Sequence, residues 1–415
     1  MRTLYSVVMT LLAPLLLARL WWRGRREPGY RRAIGERFGF HPAPAEEGGA
    51  TAVAWVHAVS VGEARASAGF VRALTERGLR VVATCTTAAG RETLEELHGD
   101  RVRIAWLPYD SPGAVRRFLD AVSPRIGVLV ETEIWPNLLA ACRARGVPVV
   151  LANARLSEKS AEGYRRWASL LGPALRSLSM ACAQTEDDAR RLRALGVPCV
   201  EVTGNLKFDA SPDEARRLQG RQWRERIGRK VLLLASTRDG EERPLLGALP
   251  AWDGRLLVVL VPRHARRFEE LAALAQSRRS AGDPAPEDRV HLGDTMGEMD
   301  FYYAAADVAV IGGSFAPLGG QNLIEACAAG VPAIFGPSMF NFSEPARLAV
   351  EAGAALQVQD ARAAIDAALR LMDDPSALEC MGAAGRTMAA AHRGATGRQL
   401  HCFDTVLAGM PGAAR

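Results

Sequence analysis

The sequence predicts an α/β fold in which two doubly wound, Rossmann-like halves follow one another along the chain. Short apolar strand candidates alternate with helical segments over most of the 415 residues, as in parallel sheets that are covered by helices. The alternation stops at residues 206–228, which are polar and carry no strand candidate. A chain of this length can bury two substantial cores, so each half is expected to form its own domain.

Each strand candidate is a short apolar run, rich in β-branched residues, that ends at a turn or at polar residues. In the first half the candidates are 52–57, 80–85, 102–106, 126–130, 147–152, 180–184 and 199–203. In the second half they are 231–235, 256–261, 289–292, 308–312, 331–335 and 354–358. Helical segments lie between them, for example 64–76 and 112–121.

These candidates divide the chain into five predicted parts. The predicted parts are an anchor with a basic segment (1–40), a first domain (50–205), a linker (206–228), a second domain (229–400) and a C-terminal tail (401–415). A further short linker is expected at 41–50, where Pro, Gly and Glu are frequent.

The N-terminal segment has the composition of a membrane anchor. Residues 4–18 are almost wholly apolar, two tryptophans follow, and seven arginines lie between Arg19 and Arg37 against two acids. A signal peptide would carry its charge before the apolar run, and a comfortable span needs ~20 residues without Pro14. We expect an uncleaved anchor, either a short span or an interfacial segment, that leaves the chain on the cytoplasmic face. The alternative is a helix that packs on the protein body.

Charge and cysteine usage narrow the classes of partner. The arginine block suits an anionic membrane surface, and no recognisable nucleic-acid-binding motif accompanies it, so nucleic acid is not an expected partner. The seven cysteines are scattered and never form a CxxC pair. This usage indicates a reducing compartment and argues against a disulfide framework or a zinc site.

The stretch from residue 308 to residue 325 carries two glycine pairs. The apolar run 308–311 ends at Gly312, Gly313 and Ser314, and Asn322 stands three residues before Glu325, which is capping-box spacing. Glycines let backbone N–H groups approach an anion, and a helix N-terminus favours negative charge. Taken alone, the stretch is equally compatible with two interpretations: a cradle for a nucleotide phosphate, or an ordinary turn between a strand and a helix.

Polar residues also follow three strand candidates of the first half, at the ends where such folds bind ligands. Glu63 opens a helix, either as a general base or as an acid that complements the helix dipole. Glu131 and Glu133 directly follow four apolar residues, which is costly outside a hydrogen-bonded turn or a site, and we favour a site. Lys207 is one of only three lysines among 52 basic residues, so its compact ammonium points to function.

In the second half, Pro262 and Arg263 follow one strand candidate, and a guanidinium can pair with a phosphate through its planar fork. Met296, Gly297 and Glu298 lie in the loop after another. No Cys, His or Asp cluster stands beside His264, so a metal is not expected. Convergence of such residues at several strand ends favours the cradle over the ordinary turn.

Nine motifs carry a resemblance to a known family. They are WVHAVSVGE (55–63), LPYD (107–110), ETEIWPN (131–137), NARLSEKS (153–160), VTGNLKFD (202–209), VPRH (261–264), GDTMGEM (293–299), GGS (312–314) and GPSMFNF (336–342). Together they resemble the bacterial 3-deoxy-D-manno-octulosonic acid (Kdo) transferases of lipopolysaccharide assembly. The resemblance extends from the N-terminal segment to the last fifty residues. It departs from a common version of the pattern at Arg238-Asp239, Gln321 and Leu323.

The resemblance implies a GT-B glycosyltransferase, with two Rossmann-like domains facing a cleft. It implies CMP-Kdo as donor, the lipid A precursor as acceptor, no cofactor, and a place at the cytoplasmic face of the inner membrane. By motif, Glu63 corresponds to the general base, and Glu131 and Lys207 to residues that stabilise the transition state. The predicted donor-binding residues are Pro262, Arg263, Met296, Gly297, Glu298, Gly313, Ser314, Asn322, Leu323, Ile324 and Glu325.

Two other functions stay open on the residues alone. One is a GT-B enzyme that acts on a UDP-sugar, as a transferase or an epimerase. The other is a catalytically silent, membrane-associated protein that binds a nucleotide. Intact Glu63, Glu131 and Lys207 favour an enzyme.

Overall fold

The computed structural model describes residues 1–42, 52–210, 212–251 and 253–410. The chain divides into two compact units. The first unit is Met1–Ala210 together with the chain from Arg393 onward, and the second unit is the chain between these two segments. Of the linker predicted at 41–50, residues 43–50 lie outside the described part of the chain.

The first unit is built on a seven-stranded sheet in which every pairing is parallel. Its strands are β1 (Val53–His57), β2 (Arg80–Cys85), β3 (Arg103–Trp106), β4 (Ile126–Val130), β5 (Val149–Ala154), β6 (Met180–Ala183) and β7 (Val200–Val202). They lie in the order β3-β2-β1-β4-β5-β6-β7. The order reverses between β1 and β4, which is where ligands bind in such sheets.

The second unit repeats this architecture with a second parallel sheet of seven strands. Its strands are β8 (Lys230–Thr237), β9 (Leu256–Pro262), β10 (Ser277–Arg278), β11 (Val290–Leu292), β12 (Val308–Ile311), β13 (Ala333–Phe335) and β14 (Ala355–Gln357). Their order is β10-β11-β9-β8-β12-β13-β14, so β8 lies between β9 and β12.

Helices connect the strands and cover the sheets. In the first unit they are α1 (Arg2–Leu11), α2 (Ala13–Arg23), α3 (Val61–Glu76), α4 (Ala88–His98), α5 (Pro112–Val122), α6 (Pro136–Ala144), α7 (Glu158–Arg166), α8 (Ala168–Leu175), α9 (Glu186–Ala194) and, near the C-terminus, α18 (Ala395–Ala408). In the second unit they are α10 (Glu214–Ile227), α11 (Glu242–Gly247), α12 (Phe268–Ala272), α13 (Met299–Ala305), α14 (Ile324–Ala329), α15 (Ser343–Glu351), α16 (Ala361–Met372) and α17 (Pro375–Ala391).

Short 3₁₀ turns complete the described chain. They are Pro28–Arg31, Ile34–Phe38, Gly99–Arg101, Leu206–Asp209, Ala265–Arg267 and Arg279–Ala281.

The alternation predicted from the sequence is confirmed, since thirteen of the strands fall on the predicted apolar runs. The two-residue strand β10 was not predicted, because Ser277–Arg278 offers no apolar run. Residues 206–228, expected to be a linker, contain helix α10, which belongs to the second unit. Most of the tail expected at 401–415 is the helix α18, which belongs to the first unit.

The N-terminal segment forms two helices whose apolar side chains are largely exposed. Leu4, Leu11, Leu15 and Trp22 are all more than half exposed. No single helix of the described chain is long and apolar enough to cross a membrane. The pair α1 and α2, bent by 50°, meets that requirement together by length and composition alone.

Part of the basic segment has a structural role instead of the predicted membrane-facing one. Arg37 is buried, and its guanidinium lies 3.9 Å from the centre of the Trp106 ring. Arg23 donates a 2.7 Å hydrogen bond to the hydroxyl of Tyr30. Of the seven arginines, Arg19, Arg25, Arg26 and Arg32 remain exposed.

Candidate active site

The first unit holds Glu63 in the first turn of α3, directly after β1. The sequence places Ser60 at the N-cap, and its side chain takes part in a capping arrangement with Glu63. The Val59 N–H donates to Glu63 Oε2 at 2.7 Å, and Ser60 Oγ donates to Glu63 Oε1 at 3.0 Å. The carboxylate is therefore oriented by its own loop and is only partly buried.

Burial raises the pKa of Glu63 to about 7, and the negative charge of Glu131 adds to this effect. The hydrogen bonds from Val59 and Ser60 act in the opposite direction, but they are the smaller influence. Glu133 has its pKa raised to about 7 as well, mainly through burial and partly through the charge of Glu131. A carboxyl group with a pKa near 7 is suited to proton transfer at neutral pH.

Glu131 and Lys207 form an ion pair, with Lys207 Nζ 3.0 Å from Glu131 Oε1. Their side chains are 20% and 16% exposed, so water screens the pair only partly. Glu131 adopts a left-handed backbone conformation (φ 63°), which is unusual for a residue with a side chain. The structure thus places the three predicted catalytic residues, Glu63, Glu131 and Lys207, in one electrostatic cluster of the first unit.

A buried amide network supports the turn that carries Lys207. Asn153, fully buried and with φ 50°, accepts from the Leu206 N–H through its side chain at 3.0 Å. Asn205 accepts from the Lys207 N–H at 3.0 Å and donates to Gln184 at 3.0 Å. Sequence reasoning did not assign Asn153 a role, although it opens the NARLSEKS motif.

Residues of two motifs, Asp209 of VTGNLKFD and Asn153 of NARLSEKS, hold α18 on the rest of the first unit. Asp209 accepts hydrogen bonds from the Gly394 N–H at 2.6 Å and from the Thr396 N–H at 2.5 Å. Gln399, inside α18, accepts from the Asn153 N–H at 3.0 Å. Asp209 therefore caps α18, and the C-terminal helix contributes to the support of Lys207.

In the second unit, hydrogen bonds donated by backbone N–H groups connect three strand-end loops. The Arg263 N–H, after β9, donates to Thr237 O at the end of β8 at 3.0 Å. The Gly313 N–H, after β12, donates to Glu241 Oε2 at 2.6 Å, and the Phe315 N–H donates to Glu241 Oε1 at 3.0 Å. The N–H of Gly313, predicted to face a phosphate, is thus occupied by a protein carboxylate.

Ser314, predicted to bind the donor, has a hydroxyl that is bonded within the protein. It is fully buried, its hydroxyl donates to Ile311 O at 2.6 Å, and it accepts from the Gly336 N–H at 2.8 Å. Because the hydroxyl both donates and accepts within the protein, the side chain of Ser314 connects the ends of β12 and β13.

Helix α14 begins one residue later than predicted, with Leu323 at the N-cap position. Asn322 accepts from the Ile324 N–H at 3.0 Å and donates from its side chain to Glu325 at 2.9 Å. Asn322 therefore orients the Glu325 carboxylate. Leu323 and Ile324 are buried apolar residues, so their side chains pack in the core.

Glu298 precedes α13 and is surrounded by cations. Its carboxylate lies 3.3 Å from Arg279 and 3.7 Å from Arg216, and it also accepts from Thr295. Met296 is 51% exposed, and Gly297 has φ 77°, which the loop requires of a glycine.

The described residues contain no group of three or more His, Cys, Asp or Glu side chains that could hold a metal ion. The predicted donor-binding residues all lie in the second unit, and the predicted catalytic residues all lie in the first.

Two parallel seven-stranded sheets, each with polar residues at its strand ends, define the class as an α/β protein of the GT-B fold. The UDP-GlcNAc 2-epimerase from Neisseria meningitidis shares this fold, with a TM-score of 0.60 and 15% identity over 85% of this chain and 100% of that one.

The family model described as 3-deoxy-D-manno-octulosonic-acid transferase matches residues 32–210. The 3-deoxy-D-manno-octulosonic acid transferase of Bordetella pertussis is 49% identical, over 97% of this chain and 99% of its own length. That of Haemophilus influenzae is 33% identical, over 98% and 99%. The chain belongs to the Kdo transferase family, as the motifs predicted, and is a glycosyltransferase.

Proposed function

We propose that this protein transfers Kdo from CMP-Kdo to the lipid A precursor, with Glu63 as the general base. The observation that carries the proposal is the oriented Glu63 carboxylate, with its pKa raised to about 7, beside the Glu131–Lys207 pair. Membership of the Kdo transferase family supports the choice of donor and acceptor.

The reaction substitutes one bond at the anomeric carbon of Kdo for another. The bond to the phosphate oxygen of CMP breaks, and a bond to a sugar hydroxyl oxygen of the acceptor forms. The hydroxyl proton goes to the Glu63 carboxylate, and CMP leaves with the electron pair. Since the anomeric carbon is fully substituted, departure of CMP precedes most of the new bond, and positive charge develops on the sugar.

Lys207 supplies a fixed positive charge to this site. The donor carries a carboxylate and a phosphate, and preorganised charge stabilises such a group without reorganisation during the reaction. The Glu131 carboxylate lies 3.0 Å from the Lys207 ammonium. The buried network of Asn153, Asn205 and Gln184 holds the backbone of the turn that carries Lys207. Lys207 is therefore a rigid electrostatic contact and not a flexible surface lysine.

The second unit would bind the nucleotide. Arg263 stands at the end of β9, where its guanidinium can pair with the leaving phosphate. Glu325, oriented by Asn322, can accept from ribose hydroxyls, as acidic residues do in dinucleotide-binding folds. Gly313 contributes through the shape of its loop, since its N–H is already bonded to Glu241.

We further propose that transfer needs no metal or cofactor, because Lys207 and Arg263 supply the positive charge that the leaving phosphate requires. The direct check is a transfer assay after incubation with EDTA, with magnesium added back in a parallel sample. Unchanged activity is expected. Activity that is lost with EDTA and restored by magnesium would refute this part of the proposal.

We also propose that α1 and α2 hold the protein at the cytoplasmic face of the inner membrane. Their apolar side chains are exposed, tryptophans stand at the end of α2, and the exposed arginines that follow can meet anionic headgroups. Ser6, whose hydroxyl lies 2.8 Å from Asn137 Oδ1, connects α1 to the start of α6.

The deciding experiment compares the wild type with Glu63→Gln in a transfer assay with CMP-Kdo and the lipid A precursor. The variant should lose transfer by a factor on the order of 10²–10⁴, the usual contribution of a general base. Its affinity for CMP, measured by calorimetry, should stay within about twofold, with UDP as the control nucleotide. A variant that retains substantial transfer would remove Glu63 as the base, and a wild type that prefers UDP would overturn the choice of donor.

A further inference from the structure

Glu241 is a buried acid with no role in the chemistry described above. It is 3% exposed and directly precedes α11, yet its side chain makes no capping bond to that helix. Instead the carboxylate accepts three backbone N–H groups that belong to two different loops. A buried charge of this kind is tolerated only when it is fully hydrogen-bonded, so the arrangement has a specific cause.

The two loops follow adjacent strands of the second sheet. Arg238, after β8, donates its N–H to Oε2 at 2.8 Å. Gly313 donates to the same oxygen at 2.6 Å, and Phe315 donates to Oε1 at 3.0 Å, both after β12. Glu241 thus bridges the carboxyl ends of β8 and β12.

The bridge extends to both groups of donor-binding residues proposed for this unit. Gly313 O accepts from the Gly320 N–H at 2.7 Å, and Gly320 lies two residues before Asn322. On the other side, Thr237 precedes Arg238 and accepts from the Arg263 N–H at 3.0 Å. A single carboxylate is therefore connected by short hydrogen bonds to the segment of Glu325 and to that of Arg263.

Other hydrogen bonds also support the glycine loop: the Gly312 N–H donates to Ala235 O at 2.8 Å, and the Gly319 N–H donates to Ser338 Oγ at 3.1 Å. Glu241 adds a link from this loop to the loop after β8. Gly313 and Gly320 have φ of 68° and 72°, and Gly312 approaches the backbone of Ser236 so closely that a Cβ would lie 2.5 Å from its carbonyl oxygen. Glycines lose more conformational entropy on ordering than other residues, so such a loop needs added contacts to stay ordered.

We propose that Glu241 is a positioning residue for the donor: it fills, with a protein carboxylate, an N–H cradle that otherwise attracts an anion, and so fixes the loops that bind the nucleotide. This inference rests on the proposed function, because it concerns the binding of CMP-Kdo. It predicts that loss of the carboxylate weakens donor binding more than it slows the chemical step.

The variants Glu241→Gln and Glu241→Ala give a graded test. In Glu241→Gln the amide oxygen can accept from Arg238 and Gly313, but its NH₂ group then faces the Phe315 N–H, so one of three bonds is lost. In Glu241→Ala all three are lost. We expect the KM for CMP-Kdo and the Kd for CMP to rise about threefold in the first and more than about tenfold in the second. At saturating donor, kcat should change by less than about threefold.

Glu242→Gln is the matched control. Glu242 is the next residue, is equally buried at 2%, and pairs with Arg267 instead of with the loops. It should lower the stability of the second unit and leave the KM for CMP-Kdo within about twofold. Amide hydrogen exchange of a peptide covering residues 312–322 should be faster in Glu241→Ala than in Glu242→Gln.

The outcomes separate this inference from the function on which it rests. If the wild type binds CMP and both Glu241 variants bind it equally well, with only a lower melting temperature, Glu241 is structural and the inference is overturned. If the wild type does not bind CMP, the proposed function fails, and the inference fails with it.

If Glu241→Ala does not fold, Glu241→Gln and Glu241→Asp replace it. Asp keeps the charge but is too short to reach both loops, so a rise in KM at least as large as that of Gln is expected, and an unchanged KM in both would overturn the inference.

Discussion

The rate of transfer should depend on pH through the ionisation of Glu63. The pKa of this carboxyl is raised to about 7, first by burial and then by the charge of Glu131. A general base must be ionised to accept a proton, so the active form predominates only above that pKa. We therefore expect kcat/KM to rise with pH, to bend at about 7 and to be level above about 8.

The size of the effect follows from the shift. Two pH units below the pKa, at about pH 5, roughly one Glu63 in a hundred is ionised, so kcat/KM should be about a hundredfold below its plateau. With the ordinary pKa of 4.5, most of the carboxyl would be ionised at pH 5, and the decrease would be less than about twofold. The two cases differ by more than a factor of ten.

The raised pKa of Glu63 also makes the stability of the folded state depend on pH. Between pH 4.5 and about 7 the folded state holds the Glu63 proton that the unfolded state has lost, so stability falls as the pH rises through this window. A shift of this size corresponds to on the order of 3 kcal/mol at full effect, and partial solvent exposure reduces it. Glu63→Gln lacks this dependence, so its stability relative to that of the wild type should increase as the pH rises from 5 to 8.

The assay measures initial transfer rates at low donor concentration from pH 5 to pH 9, and urea unfolding of wild type and Glu63→Gln at both ends of the range. Glu133→Gln is the matched control, since the pKa of Glu133 is also raised to about 7. That variant should keep the bend near 7, shifted slightly downward because one nearby negative charge is gone. A profile that is flat down to pH 5.5, or one whose bend disappears in Glu133→Gln, would refute the assignment to Glu63.

Three further predictions concern other parts of the first unit. Lys207→Ala should lower the transfer rate on the order of a hundredfold and weaken CMP affinity by a much smaller factor; a loss of affinity as large as the loss of rate would show instead that Lys207 only binds the nucleotide. Asp209→Ala should cost about 1–2 kcal/mol in urea unfolding, because it removes both hydrogen bonds that cap α18, and Asp209→Asn should cost less. Deletion of residues 2–23 should abolish sedimentation with anionic vesicles, whereas unchanged sedimentation would contradict the proposed anchor.

The positions of nearly all strands could be predicted from the sequence, because parallel strands are buried on both faces and therefore read as apolar runs. Strands β1, β4 and β12 are buried along their whole length and, apart from His57 at the end of β1, carry no polar side chain. Glu63 and Glu131 follow β1 and β4, whose adjacency in the sheet is known only from the structure. Helix α10 was missed because its sequence is almost wholly polar, with only Gly220 and Trp223 buried.

The partners of individual polar atoms could not be predicted, because they lie far away in the sequence. Glu241 is more than seventy residues from the Gly313 N–H that it accepts, and Ser314 is twenty-two residues from Gly336. From sequence alone, an acid in a loop is as compatible with a solvated surface as with a buried bridge. Asn153 presents the same difficulty, since its side chain supports a turn that lies fifty-three residues further along the chain.

Polar residues at strand ends identify the region of a site, but hydrogen-bonding capacity decides which of them can act on a ligand. The hydroxyl of Ser314 both donates and accepts inside the protein, and it is fully buried. The carboxylate of Glu241 accepts three N–H groups at 3% exposure, which leaves little capacity for a ligand.

Glu63 accepts one hydrogen bond on each oxygen, about half of what a carboxylate can accept, and remains partly exposed. Its loop therefore orients the carboxylate without satisfying it, and burial raises its pKa towards neutrality. Of these three residues, only Glu63 has the capacity to receive a proton from a substrate, which is why the chemistry is assigned to it and the positioning to Glu241.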